Sequence, residues 1–178
     1  MKNKKIKSTQ TNHGFTIIEV LAVIFVISFG LLGVVSLINQ NVRAGYINHN
    51  TIIASQLCQE SLELARNIRD NNWLSGDDWK NGSAASNDIV QDRTYAIDYQ
   101  GILDVADIDD PLAKLYIDSN GFYRHFVTPG SATATIFSRV INVKEENSDN
   151  LTLECLVQWP TGENKNKFTS QTVLYDWR

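Results

Sequence analysis

The sequence has no glycine-rich loop to cradle phosphate, no paired-cysteine metal motif and no serine or cysteine set beside a histidine as a nucleophile. Phosphoryl transfer, a structural zinc site and covalent catalysis are therefore without carriers. Its three histidines, His13, His49 and His125, are scattered, and each reads as a surface side chain. We expect no enzyme activity, no cofactor and no metal. Asp104, Asp107, Asp109 and Asp110 cluster in a stretch that could attract calcium. However, the spacing fits no EF-hand and lacks its glycine and closing glutamate, so a solvated acidic loop is the expectation.

Basic charge is also scarce once the first residues are set aside. Lys2, Lys4, Lys5 and Lys7 crowd the amino terminus, and without these four, twelve basic residues face twenty acidic ones. An acidic surface of this kind discourages binding to nucleic acid, and none is expected as a partner. There are only two cysteines, Cys58 and Cys155.

Proline is missing from Phe15 to Asp70, which leaves a long helix uninterrupted. From Phe15 to Ile38 the residues are nearly all apolar, and Glu19 is the one charge. Roughly 20 apolar residues on a helix cross a bilayer, so this segment can span one. A carboxylate there costs roughly 2.5 to 3.5 kcal/mol at the bilayer centre, and less near an interface, so Glu19 asks for a partner. Leader lysines favour a cytoplasmic amino terminus, with everything after Ile38 outside.

A short basic leader ending in Gly14, then Phe15, Thr16, two apolar residues and Glu19 heading an apolar helix, resembles the class III signal of type IV pilins and pseudopilins. The resemblance implies cleavage after Gly14 by a prepilin peptidase, methylation of the new amino terminus on Phe15, and a role for Glu19 in assembly with other pilin subunits. It also implies membrane lipid and an inner-membrane assembly machinery as partners, and a final location on the cell surface in a pilus. Many members carry a proline where this chain has Ser36. Loosening of the helix in a fibre would then fall to Gly30, Gly33 and Gly45, each about 1 kcal/mol less favourable than alanine; easing of helix contacts in a membrane is the other reading of these glycines. An ordinary secretory signal, with Val42-Arg43-Ala44 before a cut, competes poorly, because the apolar run exceeds the roughly 7 to 15 residues of such a signal. A plain membrane anchor carrying a binding module fits the topology but leaves Glu19 without a reason.

Beyond the apolar run, Ala54, Leu57, Cys58, Ser61, Leu62, Ala65 and Ile68 recur at spacings of three and four, an amphipathic continuation of the same helix. Asn71-Asn72 and Ser75-Gly76 supply its stop. Asp77 to Asp88 reads as a loop. Strands are expected at Thr94–Tyr99, at Leu115–Ile117 with Phe122–Phe126 around an Asn120-Gly121 turn, at Thr135–Val143, at Leu151–Trp159 and at Thr169–Trp177, with turns at Glu145–Asn150 and Asn164–Lys167. Leu151, Leu153, Cys155, Val157 and Trp159 alternate onto one face.

The expectation is an α+β protein. One long amino-terminal helix, transmembrane in its first half, packs on four to six antiparallel strands, an order that also resembles the pilin fold. Arg139-Val140-Ile141, Val157-Gln158-Trp159 and Leu174-Tyr175-Asp176-Trp177 look like minor pilins of the PilV-like kind. The expected divisions are a removable leader 1–14, a membrane half 15–38, an amphipathic half 39–71 and an extracytoplasmic sheet domain 72–178. Cys58 lies on the helix stripe facing the sheet and Cys155 on the apolar strand face, so the two can meet in a disulfide; two buried thiols are the alternative.

Overall fold

In the computed structural model helix α1 (Ile17–Ser75) covers all but the first two residues of the proline-free interval from Phe15 to Asp70 and continues past it. The structure describes residues 14–80, 89, 92–125, 130–147 and 149–176. Residues 1–13 of the expected leader, His13 among them, most of the loop expected at Asp77–Asp88, and Phe126, Pro129 and Trp177 lie outside those residues. The chain divides into two units at Gly45 and Tyr46. In the first, α1 continues unbroken through Gly30 and Gly33, and its apolar side chains from Phe15 to Ile38 are exposed.

In the second unit α1 buries Ala54, Leu57, Cys58, Ser61, Leu62 and Ala65, the stripe read from the spacing. It runs four residues past the expected end at Asn71, because Asn72 and Trp73 are also buried. The stop is a Schellman motif: the Asp77 amide donates to the Asn72 carbonyl and the Gly76 amide to that of Trp73. Gly76 takes the left-handed φ of 79° that this ending needs.

Among the described residues seven strands follow in one antiparallel sheet, more than the four to six expected: β1 (Arg93–Asp98), β2 (Gly101–Asp104), β3 (Lys114–Asp118), β4 (Tyr123–Arg124), β5 (Ala132–Asn147), β6 (Asn150–Thr161) and β7 (Asn164–Tyr175). Strand β5 is the hub, pairing with β1, β3 and β6, while β7 pairs with β6. Tyr95, Ile97, Leu115, Phe137, Ile141, Val143 and the alternating β6 residues Leu151 to Trp159 form one core with the helix stripe.

The order of elements is the expected α+β one; the differences lie in strand lengths and turns. Strand β2 was not anticipated, because Ile102 and Leu103 are too short an apolar run to announce a strand without Ile97 and Ala96 opposite them. Asn164–Lys167, expected as a turn, is the start of β7, and Glu145–Asn147, also expected as turn, extends β5. Long pairing with β6 overrides the weak local strand preference of these polar residues in both cases. The β3–β4 hairpin forms as expected but around a different turn. Only Gly121 has positive φ, 86°, while the Gly121 amide donates to the Asp118 carbonyl and the Asp118 amide to that of Phe122. This is the three-residue hairpin with a glycine bulge. Asp118 Oδ1 fixes it by accepting from the amides of Asn120 and Phe122, at 2.8 and 2.9 Å.

In the acidic stretch Asp104–Asp110 the side chains of Asp104, Asp107 and Asp109 are exposed, as expected, but the chain between them is packed down. Val105 and Ile108 are buried and, with Ala113, cover Ala96 and Val140 on the sheet face away from α1. The aspartates shape the chain over them: Asp107 Oδ1 accepts from the amides of Asp109 and Asp110, and Asp110 from those of Ala106 and Leu112. Those backbone donors hold the Asp110 carboxyl below the usual carboxylate range.

Candidate functional site

Thr16 fixes the start of α1, and with it the geometry of the amino-terminal site. Its carbonyl accepts from the Glu19 and Val20 amides at 3.1 and 3.2 Å, and its hydroxyl oxygen lies 3.3 Å from the Glu19 amide. Thr16 is therefore the cap and Glu19 stands three residues inside, the Thr-x-x-Glu pattern of a capping box. The sequence reading passed over this pattern, although the spacing of Thr16 and Glu19 carried it. Gly14 and Phe15 precede the helix without regular structure and are exposed, Phe15 at 83%. Phe15 stands four residues, about one helical turn, before Glu19. The helix carrying this site is long and apolar enough to cross a membrane.

At the far side of the helix the structure joins Cys58 to Cys155 in a disulfide with Cα atoms 5.5 Å apart. Both are fully buried, and the Ser61 hydroxyl lies 3.4 Å from Cys155 Sγ. The bond crosses 97 residues of sequence, so it restricts the unfolded chain strongly. Replacing both cysteines by alanine is expected to cost about 2 to 4 kcal/mol in urea unfolding of the mature protein; an unchanged unfolding midpoint would show that the bond adds nothing.

The same seam holds Arg139, which the sequence places in a strand and in a run like those of minor pilins, with no sign of its burial. Its side chain is 1% exposed, and its guanidinium donates to the carbonyls of Leu57 (2.9 Å) and Ile97 (2.6 Å) and to Glu60 Oε2 (3.0 Å). Burial lowers its pKa, and Glu60 and Asp98 oppose that shift.

His49 is exposed as expected, but His125 is not a surface side chain: it is 6% exposed at the end of β4. Its amide donates to Asp98 Oδ2 at 2.8 Å, and Nδ1 lies 3.2 Å from the Leu112 carbonyl. Burial, helped by the nearby Arg139 charge, pushes its pKa down to about 3. The unfolded chain therefore takes up the imidazole proton first, and stability must fall as pH drops below the unfolded value of about 6.5. We expect the thermal midpoint to decline between pH 6.5 and 4.5, above the carboxylate range, and His125→Asn to flatten that decline. A parent midpoint that does not change across this window contradicts the assignment.

Among the described residues no three His, Cys, Asp or Glu side chains are grouped to hold a metal ion. Residues 9–35 match the family model described as the prokaryotic N-terminal methylation motif. The chain is thus prepilin-like at its amino terminus, the segment that holds Gly14, Phe15 and Glu19. No curated protein and no solved structure matches the chain.

Proposed function

We propose that this chain is a structural subunit, of the minor pilin kind, of a type IV pilus or a related filament. It is made as a precursor, cut after Gly14, methylated on Phe15 and assembled through the apolar first half of α1. The carrying observation is the continuity of the methylation motif at 9–35 with the first part of a helix, whose apolar side chains up to Ile38 are all exposed. Such a surface needs lipid or copies of itself.

In this reading the leader 1–14 and its lysines stay cytoplasmic, 15–38 spans the inner membrane, and the helix from 39 onward belongs outside with the sheet. A disulfide fits that side, since such bonds persist in oxidising compartments. The partners are a prepilin peptidase and methyltransferase, other pilin subunits and the membrane machinery that extracts them. A pseudopilin of type II secretion is the close variant. An anchored binding module that does not polymerise is the second reading, favoured by the exposed aromatic pair Tyr99 and Phe122 at two hairpin tips.

Determining the amino terminus of the native protein tests this directly. We expect methylated Phe15. An intact Met1 would turn the reading to a plain anchor, and a terminus at Gly45 to a secreted protein.

A further inference from the structure

Three clefts share residues along one flank of the sheet-bearing unit. One of about 370 Å³ is lined by Glu60, Tyr99, Asn120 and Phe122. It shares Tyr99 with a second of about 190 Å³, where Asn67, Asn71 and Gln100 stand, and Glu60 with a third of about 570 Å³ along the helix. Together they form a groove between the outer side of α1 and the tips of the β1–β2 and β3–β4 hairpins.

Two aromatic rings stand open in this groove. Tyr99 is 50% exposed and Phe122 58%, with their centroids 5.8 Å apart and the rings edge to face. Tyr99 is held in place, and Phe122 packs on it: Arg124 lies over the Tyr99 ring at 5.9 Å and pairs with Asp118 at 3.0 Å, and the Tyr99 hydroxyl is 3.4 Å from Asp118 Oδ2. Rigid rings facing water are a standing cost unless something flat and apolar covers them.

Charge narrows what that ligand is. Of the acidic groups that line these clefts, Glu60 pairs with Arg139, Glu63 with Arg66 and Asp70 with Arg69, and Asp98 accepts from the amides of Gln100 and His125, so the acidic lining is already satisfied from within the chain. Beside Tyr99 stand the amides of Asn67, Asn71 and Gln100, and beside both rings that of Asn120; Asn71 donates to Asn67 Oδ1 at 2.9 Å, and an amide group has further donor and acceptor capacity beyond one such bond. A ligand with an apolar face for the rings, hydroxyls for the amides and no charge is a saccharide. Size agrees: clefts of a few hundred Å³ suit a small ligand, whereas a stable contact between copies buries about 800 Å² on each partner and needs more than two rings.

We propose that this groove is a binding site for a neutral oligosaccharide, with Tyr99 and Phe122 as the stacking platform and Asn67, Asn71, Gln100 and Asn120 as hydroxyl partners. It serves a filament subunit and an anchored module equally, so it stands whether or not α1 polymerises.

The mature full chain in lipid nanodiscs, free of sugar-headed detergent, is examined by saturation-transfer NMR with maltotriose, cellotriose and chitotriose. At least one should receive saturation on its ring protons with a millimolar or tighter dissociation constant. Tyr99→Ala and Phe122→Ala should each weaken it about tenfold, with an unchanged thermal midpoint, since both rings are half exposed. Tyr99→Phe should retain binding. The proposal is overturned if none of the three sugars receives saturation, or if transfer survives both alanine variants undiminished. It is equally overturned if those variants abolish self-association while no sugar binds, which would assign the rings to a second copy.

Discussion

Arg139→Ala is expected to lower the stability of the sheet-bearing unit by about 3 to 5 kcal/mol, the range for breaking a buried ion pair from one side. Two separate losses add there. The carbonyls of Leu57 and Ile97 each lose a charged donor, and a cavity opens where a long side chain was 1% exposed. Glu60 is 39% exposed and can be rewetted, so Glu60→Gln should cost only about 1 kcal/mol. Arg139→Met, which fills the volume without the charge, should recover part of the alanine loss. Urea unfolding followed by the fluorescence of Trp73, Trp79 and Trp159, all buried, reads each variant. If Arg139→Ala unfolds within about 1 kcal/mol of the parent, the guanidinium does not fasten helix to sheet.

The helix was legible because its signals are local. A proline-free interval, an apolar run and a stripe from Ala54 to Ala65 needed nothing from the rest of the chain. Strand β6 was legible for the same reason, since five apolar residues in strict alternation announce one buried face. Arg139 was hidden by its own character. It keeps step with Phe137, Ile141 and Val143 on the inward side of β5, but a charged residue reads as an outward one unless its three acceptors are known. Those acceptors come from two other elements, far away in sequence. His125 was misread likewise: it follows Arg124, and nothing nearby in sequence shows that Asp98 and Leu112 will enclose it. The aspartates from Asp104 to Asp110 look like water-facing residues, and their work of turning the backbone over Val105 and Ile108 depends on an apolar sheet face beneath. At the amino-terminal site Thr16 stands three residues before Glu19, a spacing that already carried the cap, and the geometry shows its hydroxyl and carbonyl at the start of α1.

That cap gives Glu19 two possible duties, and one substitution separates them. As the third residue of the helix it can complete a capping box, which glutamine also does. As the only charge from Phe15 to Val42 it can pair with the methylated amino group of a neighbouring subunit, which glutamine cannot do. At an effective dielectric near 20, two unit charges about 4 Å apart attract by roughly 4 kcal/mol before desolvation. A misplaced subunit leaves the carboxylate unpaired among apolar helices. If the charge matters, Glu19→Gln and Glu19→Ala should both be cleaved after Gly14 normally and both enter filaments at least about tenfold less than the parent, a change of only about 1.4 kcal/mol. Quantifying subunits in sheared filaments beside those retained in membranes, with mass spectrometry of the mature terminus, reads both steps. Should Glu19→Gln enter filaments like the parent while Glu19→Ala does not, the carboxylate serves as a cap for its own helix, and register between subunits must come from elsewhere on the apolar surface.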